Sequence, residues 1–132
     1  MASTRRTFLT ASAASAAALL LNQSETNNQM KNIFVHHVYF WLKNPDSKTD
    51  MAKLKEGLEK LSKVKTIRQF HIGKPADTNR EVIDRSYAIS WLALFDNKAN
   101  QDSYQTDPIH LDFVKECSGL WNKVTVYDSI DA

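Results

Sequence analysis

The sequence predicts an α+β domain of order βαββαβ: a four-stranded antiparallel sheet with helices on one face. Three observations carry this. Residues 33–43, Ile-Phe-Val-His-His-Val-Tyr-Phe-Trp-Leu-Lys, are β-branched and aromatic almost throughout and stop at Asn44-Pro45-Asp46, the pattern of a strand with two buried faces. Two later stretches repeat that pattern. Between the strands, apolar residues recur at helical spacing behind side chains that cap helix starts.

In the first strand, alternation puts His36, Val38, Phe40 and Leu42 on one face and His37, Tyr39 and Trp41 on the other. Asp46 or Ser47 caps an amphipathic helix over 47–63, with Met51, Leu54, Leu58 and Leu61 inward. Gly57 weakens that helix by about 1 kcal/mol relative to Ala. Residues 64–74 alternate as a second strand, with Ile67, Gln69 and His71 on one face and Arg68, Phe70 and Ile72 on the other. A polar connection covers 76–85. Residues 86–95 form a third strand, Tyr87, Ile89, Trp91, Ala93 and Phe95 facing one way and Ala88, Ser90, Leu92 and Leu94 the other. Asp96 caps a short helix to about Gln105. Asp107-Pro108 restarts it with Asp at the cap and Pro in the first turn, and Gly119 ends it. Residues 120–130 supply the last strand. The order is the ferredoxin-like arrangement. Its helices cover one sheet face, so the face with His37, Tyr39, Trp41, Ser90 and Leu92 needs another cover, most simply a second copy of the chain.

The first 29 of the 132 residues stand apart. Ser3-Thr4-Arg5-Arg6-Thr7-Phe8-Leu9 resembles a twin-arginine export signal. It is followed by an Ala-rich run too short and weak for a membrane span, and by a polar linker to Gln29. The expected division is therefore signal and linker over 1–29 and the domain over 30–132, with a periplasmic or otherwise extracytoplasmic bacterial location and no stable membrane anchor. From Met30 onward, 15 Lys and Arg stand against 14 Asp and Glu, which leaves no basic field for nucleic acid. One cysteine, Cys117, excludes an internal disulfide and a cysteine-based zinc cluster.

Chemistry falls to four histidines, His36, His37, His71 and His110, the side chains that titrate near neutrality. His36 and His37 project to opposite faces and cannot chelate together, so no metal site is expected. Neither a phosphate-binding glycine loop nor a Gly-x-Ser-x-Gly or His-Glu-x-x-His motif is present. The strongest local constellation is Tyr104-Gln-Thr-Asp-Pro-Ile-His110. It places His110 in a first helical turn, where the dipole disfavours an imidazolium, with Tyr104 one short link earlier. His110 then suits a general base and Tyr104 a partner for a hydroxyl or carbonyl. The structural alternative is a His110 bonded to backbone and a Tyr104 that only packs.

Three stretches, His36-His-Val-Tyr-Phe-Trp-Leu-Lys43, Tyr104-x-x-Asp-Pro-x-His110-x-x-Phe113 and the closing Val-Thr-Val-Tyr-Asp, resemble the stress-responsive dimeric α/β-barrel (Dabb) family over residues 30–130. The family's usual His-Pro-x-His is Asp107-Pro108-Ile109-His110 here. The resemblance implies two ferredoxin-like subunits joining sheets into one dimeric α/β barrel. One plant member closes a linear polyketide by aldol condensation. It uses a histidine matching His110, a tyrosine matching Tyr104 and a pocket histidine matching His36. By that likeness His110 and Tyr104 are candidate catalytic residues. His36, Val38, Phe40, Ile89, Trp91 and Phe113 become candidate walls of an apolar pocket for a small carbonyl-containing or polyketide-like molecule. A lyase- or cyclase-type step with a histidine base would need no cofactor. Two other functions stay open: a non-catalytic, stress-related dimeric module that binds a small hydrophobic ligand, and a cofactor-free monooxygenase or haem-binding relative.

Overall fold

The computed structural model describes residues 28–132. The expected export signal and all but the last two residues of its linker lie outside them. The folded unit runs from Lys31 to Ala132. Its elements are β1 (Phe34–Leu42), α1 (Lys48–Leu61), β2 (Gln69–Gly73), β3 (Ile89–Phe95), α2 (Lys98–Thr106), α3 (Pro108–Cys117) and β4 (Trp121–Ile130). The sheet is antiparallel, in the order β2-β3-β1-β4.

The expected barrel is not formed. The sheet is open, with β2 and β4 as its two outer strands. Four strands, each rotated from the next by roughly 20–25°, do not come full circle. The outer strands are also mismatched, five residues in β2 against ten in β4. The ferredoxin-like order and the helices on one face are as the alternation and caps predict.

β1 is central because it is apolar along its whole length and pairs on both sides. His36 lies opposite Ala93 of β3 and Asp128 of β4, and Val38 opposite Trp91 and Val126. On the helix side Phe34, Val38, Phe40 and Leu42 are buried with Ile89, Trp91, Ala93 and Phe95 of β3. They meet Leu54, Leu58 and Leu61 of α1, Tyr104 of α2, and Phe113 and Cys117 of α3. The helix layer stops short of β4, so Val124 and Val126 remain 43% and 46% exposed.

Local signals held to within a few residues, with physical reasons for the shifts. Ser47 caps α1, its Oγ accepting from the Asp50 amide at 3.1 Å. β2 starts at Gln69, five residues later than the alternation implies, because the amides of Lys63, Val64 and Ile67 bond within turns to the carbonyls of Lys60, Leu61 and Val64. α2 is capped by Asn97, whose Oδ1 accepts from the Asn100 amide at 2.8 Å, while Asp96 pairs with Arg68 at 3.6 Å. α3 begins as expected: the Asp107 carboxylate accepts from the Ile109 amide at 2.8 Å and Pro108 opens the first turn. It ends at Cys117 in a 3₁₀ turn over Ser118–Leu120, and no glycine takes a positive φ, so Gly119 is not a left-handed cap.

Gly57 serves the crossing of α1 and α3. A Cβ placed there would sit 2.5 Å from Cys117 Sγ and 3.3 Å from the Phe113 ring. The helix accepts a poor helix former so that the two elements can approach. Among the described residues no helix is long and apolar enough to cross a membrane, and no three His, Cys, Asp or Glu are grouped to hold a metal ion.

Candidate functional site

The helix face of the sheet carries its polar groups in one place. Strand alternation turns His36 inward beside Val38 and Phe40. The antiparallel register sets Asp128 opposite it, and His36 Nδ1 lies 2.7 Å from Asp128 Oδ1. A carboxylate can only accept, so Nδ1 carries the hydrogen of this pair. His36 is 7% exposed and Asp128, on the outer strand, 43%.

The last turn of α2 carries Tyr104, which is buried. Its ring packs edge-on against His36 at 5.6 Å and Phe95 at 5.1 Å, and lies 4.7 Å from the His110 ring. The Trp91 indole N–H donates to the Tyr104 oxygen at 3.1 Å. Burial pushes the phenol well above the ordinary tyrosine value, and the Trp91 bond draws it back only in part. Tyr104 therefore remains a neutral O–H donor at all physiological pH.

The Asp107 cap and Pro108 put His110 at the third position of α3. Burial lowers its pKa below the usual 6.5. The Gln105 backbone carbonyl opposes the shift, the nearby His36 adds to it, and Asp107 opposes it weakly. The imidazole is thus neutral at pH 7, with burial as the largest cause. Nδ1 is buried without a hydrogen-bond partner among the described residues.

These groups share a cavity of about 130 Å³. His36, Tyr104 and His110 line it together with Val38, Phe40, Trp91 and Phe113. Ile89, the other residue expected in the wall, is buried opposite Phe40 but does not reach the cavity. Leu61, Gln105, Val114, Trp121, Val124 and Val126 complete the lining and were not anticipated from the sequence. Phe40, Phe113 and Trp121 form an aromatic corner, Trp121 lying 4.9 Å from Phe40 and 5.8 Å from Phe113. Val114, Val124 and Val126, 40–46% exposed, carry the cavity to the surface between α3 and β4. Among the described residues no lysine, arginine or carboxylate lines it.

Asp128 was the polar residue that sequence reasoning passed over. The signal was the Val-Thr-Val-Tyr-Asp strand, but its meaning depends on a register that brings together residues 92 positions apart.

The profile of the stress responsive A/B barrel domain (Dabb) matches residues 34–131. The chain belongs to that family. Solved structures agree on the fold. A Dabb family protein with a ferredoxin-like fold from Mesorhizobium loti superposes with a TM-score of 0.64 at 20% identity, over 76% of this chain and 97% of that one. A dimeric ferredoxin-like protein of unknown function from Bacteroides fragilis gives 0.63 at 21%, over 78% and 100%. The hydroxynitrile lyase of Passiflora edulis gives 0.64 at 20%, over 78% and 96%. At these identities the likeness is one of fold. No curated protein matches the chain in sequence.

Proposed function

We propose that this Dabb protein acts on a small, uncharged carbonyl compound by acid–base chemistry of the lyase or cyclase type. The observation that carries the reading is the convergence of His36, Tyr104 and His110 on one cavity that, Gln105 aside, is lined by apolar and aromatic side chains among the described residues. Tyr104 donates its O–H to the carbonyl oxygen, where negative charge develops. His110, held neutral by burial, takes a proton from the carbon next to the carbonyl. His36, its ring held by Asp128, binds the polar end. A cavity of about 130 Å³ is close to the size, about 150 Å³, that accommodates benzene in an engineered protein core. It suits a single small ring or a short branched chain. The fold shared with a hydroxynitrile lyase supports a lyase-type step.

The same proposal takes the protein to be an exported homodimer. The Arg5-Arg6-Thr7-Phe8-Leu9 motif supports twin-arginine export, and changing both arginines to lysine should leave the protein in the cytoplasm. Pairing through the uncovered sheet face is supported by its half-buried aromatic residues Tyr39 and Trp41, and by Tyr87, which precedes β3 and packs on Tyr39 rather than on the Trp91 face that the alternation gave it.

Hydrogen–deuterium exchange at the α-carbon of cyclopentanone, followed by NMR in heavy water, tests the chemistry. The wild type should accelerate exchange, and His110→Ala should lose roughly 10²–10⁴ of that rate. A ketone that binds and exchanges no faster than in buffer would leave a binding module and remove the catalyst.

A further inference from the structure

We infer that Trp91 is a positioning residue: its indole N–H occupies one lone pair of the Tyr104 oxygen and so commits the phenol hydrogen to the cavity. The inference rests on the carbonyl-binding reading above and says which group makes Tyr104 a donor there.

The geometry is local and closed. An indole N–H can only donate, so at 3.1 Å the Tyr104 oxygen must be the acceptor. A phenol oxygen carries one hydrogen, and that hydrogen cannot point toward Trp91. Among the described residues the Trp91 bond is the hydroxyl's one hydrogen bond, so its own O–H is unspent. Both residues line the cavity, the nearest space where a ligand could accept that hydrogen. Without the indole N–H the hydroxyl could rotate and act as acceptor as readily as donor. A ligand carbonyl would then pay to reorient it.

The indole is itself fixed. Trp91 is 1% exposed and lies in β3, paired with Val38 on one side and Ile72 on the other. Phe70 of β2 stacks on its ring at 5.6 Å with an interplanar angle of 30°. The N–H direction is thus set by two strands and a stacked ring rather than by Tyr104 alone. Accepting a hydrogen bond from Trp91 also makes the phenol a stronger donor, because bonds in a chain polarise one another. The role is electrostatic and directional. A residue that only filled the wall would serve equally well without its nitrogen.

The test is the infrared carbonyl stretch of bound cyclopentanone, with methylenecyclopentane as the isostere lacking oxygen. In the wild type the stretch should fall to lower frequency on binding, and the ketone should bind at least tenfold tighter than the alkene. Trp91→Phe keeps an aromatic ring against Phe70 and removes the N–H. It should lose most of the frequency shift and most of the ketone preference, read as the ratio of ketone to alkene affinity in the same variant, so that a change in cavity size affects both ligands. Trp91→Met fills the site without an aromatic ring and should behave alike, which covers a failure of the first variant to fold. Tyr104→Phe should abolish the shift outright. An unchanged shift and preference in a folded Trp91 variant would overturn the positioning role and leave the carbonyl reading standing. Absence of any ketone preference in the wild type would overturn both.

Discussion

On β1, Phe34, His36, Val38, Phe40 and Leu42 are buried, while Val35, His37, Tyr39 and Trp41, one residue out of phase, are only half-buried. The two faces differ little in composition: each carries a histidine and a set of large apolar or aromatic groups. They differ in what lies above them. Three helices close the first face over a small cavity with His36, Tyr104 and His110 gathered around it. The second face is tiled by its own rings, Tyr39 packing on Tyr87 at 4.9 Å and on Tyr127 at 6.0 Å, with no helix over it. Trp41 is held from the side, its N–H donating to Ser86 Oγ at 3.0 Å and Lys123 standing 4.4 Å over its ring. The lesson is that apolar pattern measures a wish for burial, and topology decides which face obtains it within one chain.

The largest expected break in this contrast is between two tryptophans. Trp91→Ala should destabilise the fold by about 3–5 kcal/mol, as for other buried aromatic truncations, and be visible in urea melts. Trp41→Ala should leave the unfolding of a single protomer nearly unchanged. Equal losses at the two positions would mean that the faces are energetically alike. Association provides the next test. Trp41→Glu should convert a dimer to monomer or aggregate in sedimentation velocity without altering the far-ultraviolet circular dichroism. A wild type that sediments as a monomer would remove the second face from any role in pairing.

A smaller effect sharpens the first face. Gly57→Ala gains roughly 1 kcal/mol in helix propensity, but its methyl meets Cys117 Sγ at 2.5 Å. Overpacking of this kind costs about 1–3 kcal/mol. The net should be a lower melting temperature, largely restored in Gly57→Ala/Cys117→Ala. A stabilised single mutant would show that α1 and α3 separate easily.

The smallest effect is in pH. Burial lowers the pKa of His110 in the folded state below the 6.5 it holds when unfolded, so between those values the unfolded chain binds more protons. Stability is therefore full above about pH 6.5 and declines as pH falls through the folded-state value. His37 on the second face is lowered too, by burial and then by His71 and His36, and contributes the same sign. His110→Leu should flatten the His110 part of the decline in a series of melts from pH 7.5 to 5. It should also hold or raise the melting temperature at pH 7, since it removes a buried nitrogen that has no partner. A steeper decline in that variant would reverse the sign assigned to His110.

Element order, the inward faces of β1 and β3, the Ser47 and Asp107 caps and the pairing of Tyr104 with His110 across one short link were legible in the sequence, because each rests on contacts within a few residues. So were seven of the eight candidate site residues as neighbours of one cavity; Ile89 shares their face but sits one strand pair too far along. What only the tertiary structure decided is long-range. The sheet stays open because its outer strands are too few and too unequal to meet. Asp128 reaches His36, and Trp91 reaches Tyr104, only through strand register and the seating of α2 on the sheet. Gly57, a local defect in a helix when read alone, is the point at which two helices touch. Short-range periodicity and capping are written residue by residue. The distance between two side chains far apart in the chain is a property of how every layer packs, and no window of the sequence contains it.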